Sequence, residues 1–292
     1  MIASELARIS VHLTNVAAGG LELGAFTAFL YFVEARELVW DLIEMLCGAR
    51  VTANYVRIGG LKNDLPEGFA EKTREVFKRC RELWADVDKL LTKNRIFIDR
   101  VRDVGAMPAD EAIAWGFTGP CLRATGVPYD VRKAQPYLVY DRLDFEVPIG
   151  ETGDNFDKYL VRMEEILQSM RIVEQALAGM PGGPINVDLP AYRWQSKEDI
   201  GTRIDSLIFH FKTVIEGIKP PPGEVYQAVE GGNGELGFYL VSDGSGKPYK
   251  CRVRPPCFPL TSAMPRMMKG RLLADIVPTF DMINMIGGEC DR

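Results

Sequence analysis

Apolar residues recur at three- and four-residue intervals from the start of the chain, with Ile2, Leu6, Ile9, Leu13 and Val16 on one helical face. No capping residue precedes them, so the pattern predicts a chain that begins in mid-helix. A second helix is expected from about Glu22 to Leu46, apolar nearly all round and therefore buried, with Gly48 as its stop. Gly59-Gly60 and Pro66 then break the chain. A third helix follows, with Phe69, Thr73, Val76, Phe77, Cys80, Leu83, Trp84, Val87 and Leu91 as its inner face. A fourth begins after Asp154 and carries Phe156, Leu160, Met163, Leu167, Met170, Val173 and Leu177, ending at Gly179 and Pro181. A fifth is expected from Ser196, where Asp199 completes a capping box, with Ile200, Ile204, Leu207, Ile208, Phe211 and Ile215 as its stripe.

Between the third and fourth helices, residues 116–150 carry Gly, Pro and Tyr without a period, the pattern of a functional loop or of one wrapped around a neighbour. After Gly223 the period falls to two. Glu224–Glu230, Leu236–Ser242 and Tyr249–Arg254 read as strands, with Asp243-Gly244-Ser245-Gly246 as a turn. A last helix is expected over about Thr261–Val277, before a Gly-rich charged terminus. The fold class is mainly α (α+β), a long-helix bundle with a small β-hairpin element at 223–255 inside one domain spanning 1–292.

Composition narrows the function classes. At 292 residues, 47% hydrophobic and 26% charged, the chain is globular. Its mass of 32.6 kDa predicts roughly 12,000 Å² of folded surface. A net charge of −5 offers no basic face and argues against nucleic acid as a partner. The cysteines at 47, 80, 121, 251, 257 and 290 contain no C-x-x-C pair, and His12 and His210 have no metal spacing. No metal site is therefore expected from this chain alone, and the scatter suits reduced thiols. The most apolar stretch, Val16–Val33, is interrupted by Glu22, leaving Leu23–Val33 well short of the ~20 residues that span a bilayer.

Gly231-Gly232-Asn233-Gly234 and Gly244-Ser245-Gly246-Lys247 look like fragments of phosphate loops, but both lie between strand patterns with no helix behind them and read as turns. Three features remain. Glu22 is a carboxylate in an apolar stretch, where burial would raise its pKa and make it a proton donor; on its own a structural carboxylate is the plainer reading. Glu289, Asp291 and Arg292 crowd a terminus that follows the apolar Met282, Ile283, Met285 and Ile286. Arg252 and Arg254 alternate with Cys251 and Val253, as on the solvent face of a strand.

Several longer motifs carry a family likeness. Arg57–Pro66 (R-I-G-G-L-K-N-D-L-P), Gly119–Pro136, Val241–Arg254 (V-S-D-G-S-G-K-P-Y-K-C-R-V-R), the run Gly24–Phe29, L-A-D-I-V at Leu273–Val277 and the terminal G-E-C-D-R resemble the D (49 kDa) subunit of the proton-pumping NADH:quinone oxidoreductase, respiratory complex I. The likeness covers the whole chain, and that family is similar to the large subunit of nickel–iron hydrogenases. The resemblance implies a hydrogenase-large-subunit type of bundle lacking its N-terminal part. It also implies a peripheral-arm protein on the cytoplasmic side of the bacterial inner membrane, partnered by B- and C-type subunits and the membrane arm.

With the B-type partner, such a protein forms the chamber where quinone takes electrons from an iron–sulfur cluster that the B-type partner holds. Glu22 falls where the family has an aspartate in that chamber, which favours it as a proton donor and quinone contact. Ile286 matches an apolar residue of the headgroup pocket, Asn284 stands where an aspartate is common, and Arg292 matches the terminal arginine. Lys62 stands where many members have a histidine near the cluster, so the pH-dependence that a histidine would give the cluster is expected to be absent. Asn284, Ile286, Glu289 and Arg292 replace the Asp, two Cys and His of the hydrogenase D-P-C-x-x-C-x-x-H stretch, so no nickel–iron centre is implied. Pro256–Arg271 departs from the family pattern, with Arg271 in place of a histidine. Two alternatives stay open: the large subunit of a hydrogenase-related membrane complex with another donor, and a non-catalytic truncated paralogue acting as scaffold.

Overall fold

The computed structural model describes residues 1–189 and 195–291. Two long helices, α1 (Ile2–Glu22) and α2 (Phe26–Cys47), form an antiparallel hairpin. A two-stranded ribbon, β1 (Val56–Arg57) and β2 (Gly60–Leu61), leads to α3 (Phe69–Leu91). Short helices α4 (Arg95–Val101), α5 (Ala109–Trp115), α6 (Gly119–Arg123) and α7 (Val131–Ala134) precede α8 (Asn155–Ala178). Then come α9 (Lys197–Thr202) and α10 (Ile204–Glu216), and an antiparallel sheet of β3 (Gly223–Glu230), β4 (Glu235–Ser242) and β5 (Lys250–Arg254) in that order. Short helices α11 (Cys257–Ser262), α12 (Met264–Met268), α13 (Ile276–Met282) and α14 (Gly287–Cys290) close the described chain. The molecule is mainly α with two small antiparallel sheets.

The core is the four-helix packing of α1, α2, α3 and α8. The predicted stripes make it. Leu6, Ile9, Leu13 and Val16 of α1, every stripe residue of α3 except the half-buried Trp84, and Phe156, Met163, Met170 and Val173 of α8 are buried. Helix α8 begins after Asp154, as the sequence predicts, with Asp154 capping it by accepting from the Asp157 amide, and Gly48 ends α2 in the left-handed conformation.

Four boundaries differ from expectation. Glu22 ends α1 and does not start α2, because Gly24, with φ of 88°, turns the chain there. The helix after Ser196 is broken at Arg203, whose backbone is extended; Gly201 just before the break weakens the helix. The expected last helix over Thr261–Val277 is a series of short helices, because Pro265 and Gly270 interrupt it. Residues 116–150 are not without regular structure: they fold into α6 and α7 and enter the interior, burying Arg123 and Arg132.

Candidate functional site

Helix α1 carries a second stripe beside its apolar one. Glu5, Arg8, His12, Asn15, Gly19 and Glu22 follow at alternating steps of three and four, which puts them on one face. The inner half of this stripe is a buried ionic network. Glu5 accepts from Arg8 Nε at 3.3 Å, from Arg132 Nη1 at 3.2 Å and from the Tyr140 hydroxyl at 2.6 Å. His12 Nε2 lies 2.7 Å from Glu165 Oε2, and Arg123 donates to Glu165 Oε1 at 2.8 Å and to Glu230 Oε1 at 2.8 Å.

Burial drives the His12 pKa down to about 4, so its ring is neutral at pH 7. Against the upward pull of burial, the Arg123 guanidinium and the His12 hydrogen bond hold Glu165 well below the usual carboxylate range. Beneath α13 two more cations are fully buried. Lys158 donates to the Gly105 carbonyl at 2.7 Å and Arg162 lies 3.7 Å from Cys121 Sγ. Among the described residues no carboxylate forms an ion pair with either, and burial lowers the Lys158 pKa to about 8.

The outer half of the stripe meets the C-terminal segment. Asn15 donates from Nδ2 to the backbone carbonyl of Asp281. A Cβ on Gly19 would sit 2.6 Å from Met282 Cε, so the glycine leaves room for the Met282 side chain of α13 against α1. One turn on, the Glu22 carboxylate is exposed, which corrects the expectation that burial acts on it. The shifted group is its neighbour. Asp281 is half-buried, and its Oδ2 is buried without a hydrogen-bond partner. Burial and the nearby Glu22 charge push its pKa up to about 6.

From Asp281 the chain turns through Asn284, whose amide nitrogen bonds the Asp281 carbonyl at 2.8 Å, to Ile286, 43% exposed. Phe26 and Leu30 at the start of α2, and Ile276, Val277 and Phe280 on α13, add an exposed apolar rim.

The fold brings Glu22 close to Asp281, on the C-terminal segment that continues to Asn284 and Ile286. It does not bring Lys62 there. Lys62 Nζ caps the far end of α2 by donating to the Cys47 carbonyl at 3.0 Å, and a helix of this length separates the two ends by roughly 30 Å. Arg292 lies outside the described residues. Arg254 is not the solvent-facing strand residue expected: it turns inward and donates to Thr118 Oγ1, the Glu235 carbonyl and the Gly116 carbonyl. Sequence reading passed over Asp281 and the inner network. The signal was present in the polar 5-8-12-15 spacing within an apolar helix, whereas Asp281 carries no pattern of its own.

Known proteins resemble the chain along its whole length. The family model described as respiratory-chain NADH dehydrogenase, 49 Kd subunit, matches residues 22–292. The second D-type NADH-quinone oxidoreductase subunit of Anaeromyxobacter sp. (strain K) is 54% identical over the whole chain, which covers 68% of that protein. The D-type NADH-quinone oxidoreductase subunit of Myxococcus xanthus (strain DK1622) is 51% identical over the whole chain, which covers 70% of that protein. The C/D-type NADH-quinone oxidoreductase subunit of Bdellovibrio bacteriovorus is 47% identical, with the chain covering 52% of that longer protein.

Proposed function

The chain belongs to the family of the respiratory-chain NADH dehydrogenase 49 kDa subunit, part of NADH-quinone oxidoreductase, and from that premise we propose that its Glu22–Asp281 end is the proton-supplying wall of a quinone chamber. Adding two electrons to a quinone also requires two protons, delivered to the carbonyl oxygens. A cluster held by a B-type partner supplies the electrons. This chain's part is to place acids at the ring and to exclude water around it.

One observation carries the reading: Asp281 has an unbonded buried carboxyl oxygen beside Glu22 and a pKa of about 6. A carboxyl that titrates close to neutrality is poised to give up a proton in the transition state and to be reloaded afterwards. Ile286 and the apolar faces of α13 and early α2 would shelter the ring, and the Asn284 amide would meet a polar edge. Arg292, by resemblance, would sit at the same wall. The C/D fusion among the relatives supports a C-type neighbour. The proposed setting is the cytoplasmic face of the bacterial inner membrane, with reduction coupled to proton translocation through a membrane arm. Among the described residues no helix is long and apolar enough to cross a membrane.

The test is made in the assembled enzyme. Glu22→Gln and Asp281→Asn are each expected to lower NADH-driven quinone reduction at least tenfold, the lower range of a lost general acid. Assembly and NADH oxidation by a hydrophilic artificial acceptor should be unchanged. Normal quinone turnover in both fully assembled variants would sink the assignment.

A further inference from the structure

The turn Gly231-Gly232-Asn233-Gly234 joins β3 to β4, with the Gly231 amide bonding the Gly234 carbonyl at 2.7 Å. It lies inside the molecule. A Cβ on Gly232 would come 2.9 Å from Val11 Cγ1, and a Cβ on Gly119 would come 2.3 Å from Gly234 Cα. The glycines make a tip thin enough to enter between α1 and α6.

The side chain left on that tip is Asn233, only 6% exposed. Its Oδ1 accepts from Asn284 Nδ2 at 2.5 Å. Its Nδ2 lies 3.3 Å from the Asn284 carbonyl and 3.3 Å from Cys257 Sγ. Cys257 Sγ in turn lies 3.4 Å from the same carbonyl. Asn284 itself is left-handed, with φ of 52°, in the turn that separates Asp281 from Ile286. Asparagine tolerates that conformation better than most L-residues, and the two-way amide contact fixes it there.

We propose that Asn233 is a positioning residue for quinone: through its paired contacts with Asn284 it holds the turn that carries Asn284 and Ile286, the polar and apolar contacts proposed above for the ring. This rests on the quinone-chamber reading above. It also gives the Gly-Gly-Asn-Gly motif, otherwise only a turn between strands, a reason to be buried at the site.

The experiment measures quinone dependence in the assembled enzyme, with a short-chain ubiquinone analogue as acceptor. Asn233→Ala is expected to raise the apparent KM for the analogue roughly tenfold, the scale of losing one or two neutral hydrogen bonds, with kcat changed less than twofold. Asn284→Gly keeps a residue that favours positive φ but removes the side-chain amide, one of the two contacts, and should raise KM by less than Asn233→Ala. The double variant should be no worse than Asn233→Ala alone, since the amide removed from Asn284 makes its bond to Asn233.

An unchanged KM in assembled Asn233→Ala would overturn the proposal, as would a fall in kcat alone or additive effects in the double variant. If Asn233→Ala does not assemble, Asn284→Gly decides, because it leaves the packing of the tip intact. Glu22→Gln measured alongside separates the two readings. Reduced turnover there with an unchanged KM in Asn233→Ala means that only the positioning role fails. Normal turnover in Glu22→Gln and Asp281→Asn sinks the chamber reading and the positioning role with it.

Discussion

Asp281 is an acid that the fold makes uncomfortable. Its ordinary value is 3.8 and its folded value about 6, so the folded state holds a proton that the unfolded chain has already released between those values. The stability this contributes is complete below pH 3.8 and is lost as pH rises through 6. Above pH 6 the ionised carboxylate opposes folding, by about 1 kcal/mol once its half-exposure is discounted. Asp281→Asn is therefore expected to raise the melting temperature by a few degrees at pH 7 and to change nothing below about pH 4, read from thermal melts against pH. A variant equally stabilising at both ends of that range would show that ionisation is not the cause. Such a stability cost at a carboxyl oxygen with no hydrogen-bond partner is the usual mark of a site kept for chemistry.

The α6–α7 segment shows why a chain without period can still be core. Arg123 sits between Glu165 on α8 and Glu230 on β3, and Arg132 sits between Asp130 and Glu5 on α1. These pairs tie the sheet, the interior loops and the two long helices to one another. Removing one partner leaves the others buried and charged. Arg123→Met is expected to cost about 3–5 kcal/mol in chemical denaturation, and the double variant Arg123→Met/Glu230→Gln should recover part of that loss. Hairpin α1–α2 works differently: its apolar stripe packs it, and its polar stripe runs from this network out to Glu22.

Over the whole molecule the accessible surface is 15649 Å², against the roughly 12,000 Å² that a monomer of this mass would have. The excess lies in elements that stand off the core. Helix α10 is the clearest. Ile204, Phe211, Val214 and Ile215 are 71%, 61%, 59% and 64% exposed, and its principal packing partner is α9. Among the described residues that face is left uncovered, and an apolar face of that size is one that an assembly would be expected to cover. Backbone amides of α10 are expected to exchange with deuterium at least tenfold more slowly in the assembled enzyme than in the isolated chain. Equal exchange rates in both would show that this face stays open. The chain spans about 68% of the length of its Anaeromyxobacter sp. (strain K) relative.

The helical periods of α1, α3 and α8, the two-residue period of β3 to β5, the start of α8 after Asp154 and the Gly48 stop are local properties. Each depends on residues within a turn or two, and each is legible in the chain. The identity of Glu22 as a carboxylate in an apolar run, and the family likeness of the motifs around it, were legible for the same reason. The shift of acidity to Asp281 was not, because it depends on Gly19 leaving room for the Met282 side chain of α13 and on Glu22 lying close by, a contact across more than 250 residues. The burial of Asn233 and the charge matching of Arg123 and Arg132 were likewise invisible, since a turn and a loop look polar to any local rule. Local preference determined the elements. Only tertiary packing decided which polar groups lose their water, and loss of water is what changes a carboxyl's pKa and makes a buried amide hold a turn.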